Sequence, residues 1–574
     1  MADGHAAGHH GLHDVVITDN VEDRARQFAR IWSAGAVGLF VVLAATIGMP
    51  HGPDLEAWER QGQLATMGLI GIGTLIAWRW EGIGGSILLV ASASLGVFAS
   101  LQHQPLIAFL PTAIFLIPAT AFLVAWHRTR TVAAILAVAL ALVVVLIGGG
   151  VAAQAMYDHG YGPAHPQSAL PALPDSPVSW MWSGAVTETR AVVVARVDDA
   201  SHVDLLLTTD AEGETSYRGR QIEDAWRFEL DGLAPATEYT YQLAKDGVPV
   251  TDRIGRFHTF SSVPASFTVA VGSCSRLGSN GVVYETMRDA DPDLFLVPGD
   301  FFYADHIERI GQFAAAYDET LTSPSQAALL AEVPIAYVWD DHDYGGNNAD
   351  STAPTRDIAR TAFSAYVPHY PLTGSGTINQ AFSVGRAQFL MLDNRSARDP
   401  SSAPDGPAKT MLGADQLSWL KTQLLAANGD YPLIVIVTSV PWIAQAEDGA
   451  DHWGGYSAER QELADFIVAN GIEGVLMVAG DAHMVAIDDG SNTDYSPNGD
   501  ASFPLLHAAA LDRPGSAKGG PYSEGEFPGG GQFALIEVTD TGADRITVRL
   551  SGLDWTGSLL VDYSFEVSAP EVAP

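Results

Sequence analysis

The 574-residue chain sets 30 Lys and Arg against 67 Asp and Glu, a formal charge of −37, and has a single cysteine. That length exceeds one ordinary core, so two to four folded units are expected. One thiol excludes an intramolecular disulfide, and the acidic field excludes nucleic acid or anionic headgroups as general partners.

The N-terminal tail, 1–30, includes His5, His9, His10 and His13 and reads as a solvated, disordered stretch. Five apolar segments follow within 31–156, at 31–49, 63–78, 83–101, 106–126 and 132–153. Most approach the ~20 residues that cross a bilayer, so an α-helical transmembrane bundle in contact with lipid is expected. Trp78, Trp80 and Trp126 sit where interfacial anchors belong, and no charged residue interrupts the five cores. Arg24, Arg26, Arg30, Arg79, Arg128 and Arg130 mark one side of the membrane, against Arg60 alone on the other. The positive-inside rule then predicts a multi-pass cell-membrane protein with a cytoplasmic N-terminus and the C-terminal bulk outside. Residues 157–177, rich in Pro, Ala and Gly, read as an extended linker.

Between 178 and 262 the pattern turns to short alternating runs such as "TRAVVVARV" and "HVDLLLTT", which predict a β-sandwich. "LAPATEYTYQL" resembles the fibronectin type III signature, in which a tyrosine (here Tyr239 or Tyr241) ties back to the preceding corner. From 263 to 574, strands such as "DLFLVPGD" and "EGVLMVAGD" alternate with helical stretches, the pattern of an α/β domain.

Chemistry-bearing residues recur where those strands end. "FTVAVGSC" delivers Cys274, "PGDFFYAD" Asp300 and Tyr303, and "DDHDYGGNN" Asp340, Asp341, His342 and Asn347. "LDNRS" delivers Asp393 and Arg395, and "GDAH" Asp481 and His483. Ligands of open α/β sheets bind beyond the carboxyl ends of strands, so these groups are expected to meet in one crevice. Carboxylates, imidazole, thiolate and phenolate all ligate metals once deprotonated. Without a cation, such an acidic cluster would suffer like-charge repulsion. Two ions bridged by one carboxylate would suit in-line displacement at phosphorus.

These motifs resemble the metallophosphoesterase superfamily, and within it the PhoD-type alkaline phosphatases. The superfamily order of Asp-x-His, Gly-Asp, Gly-Asn-His-Asp/Glu and Gly-His-x-His reads here as "SCS", "GDFFY", "DDHD" and "GDAH". The resemblance implies a two-sheet αββα sandwich. It also implies Fe(3+) held by Cys274, Asp300, Tyr303 and His483, with Ca(2+) between Asp300, Asp341, Asn347 and Asp481; other divalent metals suit the oxygen donors as well. His342 matches the histidine that contacts the substrate phosphate or assists the leaving group. Arg395 would clamp a phosphate oxygen or pair with Asp393. Ser439 stands where the superfamily commonly has a histidine ligand. The implied activity is extracytoplasmic hydrolysis of phosphate monoesters to release phosphate. The alternatives are a phosphodiesterase acting on lipid or cell-surface polymers, and a membrane sensor or adhesion protein with a non-catalytic phosphatase-like domain.

Overall fold

The computed structural model describes residues 24, 26–38, 57–100, 105–126, scattered positions of 140–156, and 165–569 except 210–212, 306, 375 and 509. The chain divides into two compact units, Met1–Gly162 and Pro163–Pro574.

In the first unit, helices span Ala57–Ala77, Glu81–Ala99 and Pro105–Trp126. Glycine lets the first two approach closely: a Cβ on Gly84 would lie 2.1 Å from the backbone nitrogen of Ala77. Among the described residues, only Glu81–Ala99 is both long and apolar enough to cross a membrane, and Ala65–Ala77 and Thr112–Trp126 are shorter apolar stretches. The five-helix bundle expected from the sequence is therefore not shown. Most of its first and fifth segments, like most of the histidine-bearing tail, lies outside the described residues.

The second unit is built on two large sheets. One has ten strands, running from Leu559–Ser568 at one edge through Phe267–Val271, Leu294–Val297 and Ile335–Tyr337 to Arg220–Ile222 at the other. The second has seven and is centred on Leu433–Thr438 and Val475–Ala479. Leu433–Thr438 is buried at every position, as a parallel strand covered on both faces must be. The sheets face each other through Val269, Leu296 and Ile536 on one side and Phe389, Val435 and Val478 on the other. Helices Gly413–Ala427 and Ser457–Asn470 close the outer face of the seven-stranded sheet through Leu420, Leu424, Leu463 and Ile467. Helices Val283–Asp289 and Ile310–Leu321 bring Met287, Phe313 and Tyr317 to the core of the ten-stranded one. Helix, sheet, sheet and helix thus form the expected four layers.

The boundary expected at 262 does not interrupt the sheet. Strand Val178–Gly184 pairs in parallel with Ile335–Tyr337 through Gly184 and Ile335, so half of the expected sandwich extends the ten-stranded sheet. The other half is a separate four-stranded sheet in which the Tyr239 hydroxyl accepts the backbone N–H of Ala234 at 2.8 Å. The linker differs from expectation too, because its described part, 165–177, lies along the domain. Ser168 N donates to Asn280 O at 2.6 Å, Val282 N donates to Pro166 O, and His165 packs against Gly530 and Gly531.

His369 sits half-buried beside Phe363, with Nδ1 2.7 Å from the carbonyl of Tyr370. Burial, reinforced by the Arg227 charge, pushes its pKa down to about 4 from 6.5. The neutral ring stabilises the fold fully above the unfolded value, and that contribution is lost as pH falls toward 4. Denaturant midpoints are expected to drop across this window, and His369→Gln to flatten part of the slope.

Candidate metal centre

Four strand ends build the centre. Cys274 follows Phe267–Val271, Asp300 follows Leu294–Val297, Asp341 follows Ile335–Tyr337, and Asp481 follows Val475–Ala479. The first three strands run parallel, so their carboxyl ends share one edge. Cys274, Asp300 and Asp481 all hold left-handed backbone, with φ of 55°, 52° and 73°. That conformation costs a non-glycine residue roughly 1–2 kcal/mol, and three instances on one centre mark a backbone held by its surroundings. Gly299 (φ 130°) makes the turn before Asp300 possible, since a Cβ there would come within 2.6 Å of the Asp340 Cβ.

The side chains form one connected cluster. Ligand atoms of Asp300, Asp341 and His342 lie within 4.8 Å of one another. Cys274 Sγ is 3.6 Å from Asp300 Oδ2 and 3.7 Å from the carbonyl of Asp481. The Tyr303 ring stacks on His342 with centroids 3.8 Å apart, and its hydroxyl meets His483 Nε2 at 2.9 Å. Both imidazoles are oriented from behind. His342 Nδ1 sits 2.7 Å from Asp305 Oδ1, and His483 Nδ1 donates to Pro514 O at 2.7 Å, which leaves each Nε2 facing the cluster. Orientation of that kind is what a ligating histidine requires.

The electrostatics of these side chains favour a bound cation. Burial and the neighbouring Asp341 carboxylate push Asp300 up to about 8. Burial, then Asp300, holds the Cys274 thiol and the Tyr303 phenol well above their ordinary values. Burial drives His483 down to about 3, with Lys518 and Arg513 adding to it, so the ring is neutral. Asp341 Oδ1 and Asp481 Oδ2 are buried with no hydrogen-bond partner, an arrangement a cation would resolve. The donor set therefore fits a metal. Cys274→Ser is expected to keep the fold and to lower metal content and ester hydrolysis together, measured by elemental analysis beside an activity assay.

Of the nine residues expected to hold metal or act on the phosphate, seven meet here: Cys274, Asp300, Tyr303, Asp341, His342, Asp481 and His483. Asn347 does not, for its side chain is exposed. The adjacent Asn348 reaches the cluster only through its backbone N–H, which donates to Asp341 Oδ2 at 2.5 Å. Arg395 is buried and fully engaged, which corrects its expected place on a phosphate. Nε and Nη2 bind Asp340 at 2.6 and 2.9 Å, and Nη1 and Nη2 bind Asp451 at 3.1 Å each. Nor is Asp393 its side-chain partner; from Arg395 that carboxylate accepts the backbone N–H, at 3.0 Å, and its other donors are Trp339, Ile378 and Ser396. Ser439 joins the same buried network, its hydroxyl donating to Asp340 Oδ1 at 2.6 Å.

Three groups at the centre were not singled out. Asp305 orients His342. Lys518 Nζ donates to Asp481 Oδ1 at 2.8 Å, and the Arg513 guanidinium lies 4.0 Å from the Tyr303 ring centroid. Lys518 left one signal, as one of four lysines in a chain that otherwise uses arginine.

Residues 269–505 match the PhoD-like phosphatase family. A second family, described as a domain of unknown function (DUF7670), matches residues 18–134. The chain is 24% identical over 307 residues to alkaline phosphatase D of Bacillus subtilis (strain 168), covering 44% of this chain and 52% of that protein. It is 25% identical over 224 residues to tartrate-resistant acid phosphatase type 5 of Homo sapiens, covering 39% and 61%. The chain thus spans about half the length of the first of these relatives and three-fifths of the second. Among solved structures, that of PhoD superposes with a TM-score of 0.57 at 17% identity, covering 70% of this chain and 92% of that one. A purple acid phosphatase from yellow lupin (Lupinus luteus) seeds gives 0.51 at 12%, covering 68% and 74%. Both likenesses are of fold. The family match, 269–505, contains every residue of the strand-end cluster from Cys274 to His483.

Proposed function

We propose that this chain is a metal-dependent phosphoesterase that hydrolyses phosphate monoesters and releases phosphate. In this reading the N-terminal apolar helices anchor it in the cell membrane, with the PhoD-like domain outside the cytoplasm. The observation that carries the reading is the pair of orphaned carboxylate oxygens, on Asp341 and Asp481, within a thiol, phenol and imidazole cluster. Thiolate and phenolate favour a trivalent ion such as Fe(3+), to be held by Cys274, Asp300, Tyr303 and His483. The oxygen donors of Asp300, Asp341 and Asp481 suit Ca(2+). Metal bound there supplies Lewis-acid polarisation of the phosphoryl group.

The chain's own residues do the rest. Asp300 reaches both the thiol side and the Asp341 side of the cluster, so it sets their spacing. His342, held through Nδ1 by Asp305, presents Nε2 to the phosphate or to the leaving oxygen, where it can pass a proton. Arg513 and Lys518 concentrate positive charge where a −37 protein must attract an anion. The deciding experiment compares monoester and diester turnover on the purified full-length chain, with elemental analysis of the same sample. Monoester turnover that tracks iron and calcium content is expected. Negligible monoester turnover beside rapid diester cleavage would replace this reading with a phosphodiesterase, and zinc alone would overturn the metals named.

A further inference from the structure

A cavity of about 420 Å3 opens between the loop at Ile443–Ala446, the first turn of helix Ser457–Asn470, Tyr495 and Gly520. Arg460 is the one charged residue on its wall. Buried arginines elsewhere in the domain meet carboxylates: Arg227 meets Glu229, Arg395 meets Asp340 and Asp451, and Arg398 meets Asp451. Arg460, only 2% exposed, makes no ion pair among the described residues. Its Nη1 donates to the carbonyls of Trp442 and Ala444, each at 2.8 Å, and its guanidinium lies 3.5 Å from the Tyr495 ring centroid. Its Nε is buried with no partner at all. The acid it feels is Asp405, whose Oδ2 accepts the backbone N–H and hydroxyl of Ser457 and whose Oδ1 is buried with no hydrogen-bond partner, but that carboxylate makes no ion pair with the guanidinium.

A buried guanidinium satisfied only by carbonyls retains an uncompensated charge, which is costly. An oxyanion in the cavity would supply the missing charge. The volume falls within the ~300–1,000 Å3 typical of small-molecule sites. The aromatic wall of Tyr495 and the exposed amides of Gln445 and Gln461 suit an organic ligand with one acidic group. We propose that this cavity binds a small organic oxyanion, a carboxylate or a phosphate monoester, with Arg460 as its cationic contact, separately from the metal cluster. The site goes beyond ester hydrolysis and does not rest on it.

Calorimetric titration of the full-length chain tests the site, with benzoate as the carboxylate probe and inorganic phosphate as the other. Arg460 also ties down Trp442 and Ala444, so the deciding variant is Ala446→Trp, which fills the cavity from its exposed rim. At least one probe is expected to bind the wild-type chain at one more site than it binds Ala446→Trp, and the probe that does so identifies the acid. Arg460→Gln is expected to weaken that binding by about tenfold or more, through loss of a charge-assisted contact. Stoichiometry unchanged by Ala446→Trp for both probes, or no saturable binding of either, overturns the site.

Discussion

Asp300→Asn is expected to lower phosphoesterase activity by roughly 10²–10³-fold or more, the range for removing a preorganised electrostatic group from an active centre. Asparagine is the informative replacement. It preserves the shape of the side chain, and it tolerates the left-handed backbone that Asp300 adopts at φ 52°. What it removes is the charge shared between the thiol of Cys274 on one side and Asp341 on the other. Thermal stability of the metal-stripped protein should hold or rise, because burial and then the neighbouring Asp341 already push the carboxylate up to about 8. Metal content should fall with activity. A variant that stays folded and fully active would remove Asp300 from the centre and, with it, the hydrolytic reading of the domain.

Arg395→Ala is expected to act in the opposite sense, on stability first. The guanidinium is fully buried between Asp340 and Asp451, and those carboxylates hold it protonated against the effect of burial. Removing one partner of a buried ion pair costs about 3–5 kcal/mol, because the charges left behind have no water to turn to. Arg398 also binds Asp451 and would compensate in part. A denaturation midpoint that falls steeply, beside a Michaelis constant little changed in whatever folded protein remains, is the expected result. A phosphate clamp would give the reverse: an intact midpoint and a raised Michaelis constant.

Asn347 and Arg395 show where the sequence stopped being legible. The strand-end carboxylates could be read because each apolar run breaks abruptly into Gly-Asp or Asp-Asp, and strand order in a parallel sheet brings such ends together. The turn after "DDH" could not be read. Three successive backbone N–H groups, of Tyr344, Gly345 and Gly346, fold back onto the Asp341 carbonyl, and the chain leaves that turn with Asn347 pointing outward. Arg395 failed for another reason. Its partners lie 55 and 56 residues away, in Asp340 and Asp451, while the nearest acid in sequence, Asp393, is occupied by local backbone. The sandwich was legible as strands but not as a sheet. Alternation reveals which residues face a core, whereas the pairing of Gly184 with Ile335 joins segments 151 positions apart, which no local pattern encodes.

The docked linker gives the domain an unusual mechanical layout. His165 wedges against Gly530 and Gly531, Gly530 bridges to Ala510, and Ala510 bridges to Ser273 beside Cys274. Gly529, one position away, donates its N–H to the carbonyl of His483. Tension arriving along the chain from before residue 165 would therefore load the backbone behind two metal-facing side chains before it reached the sheet.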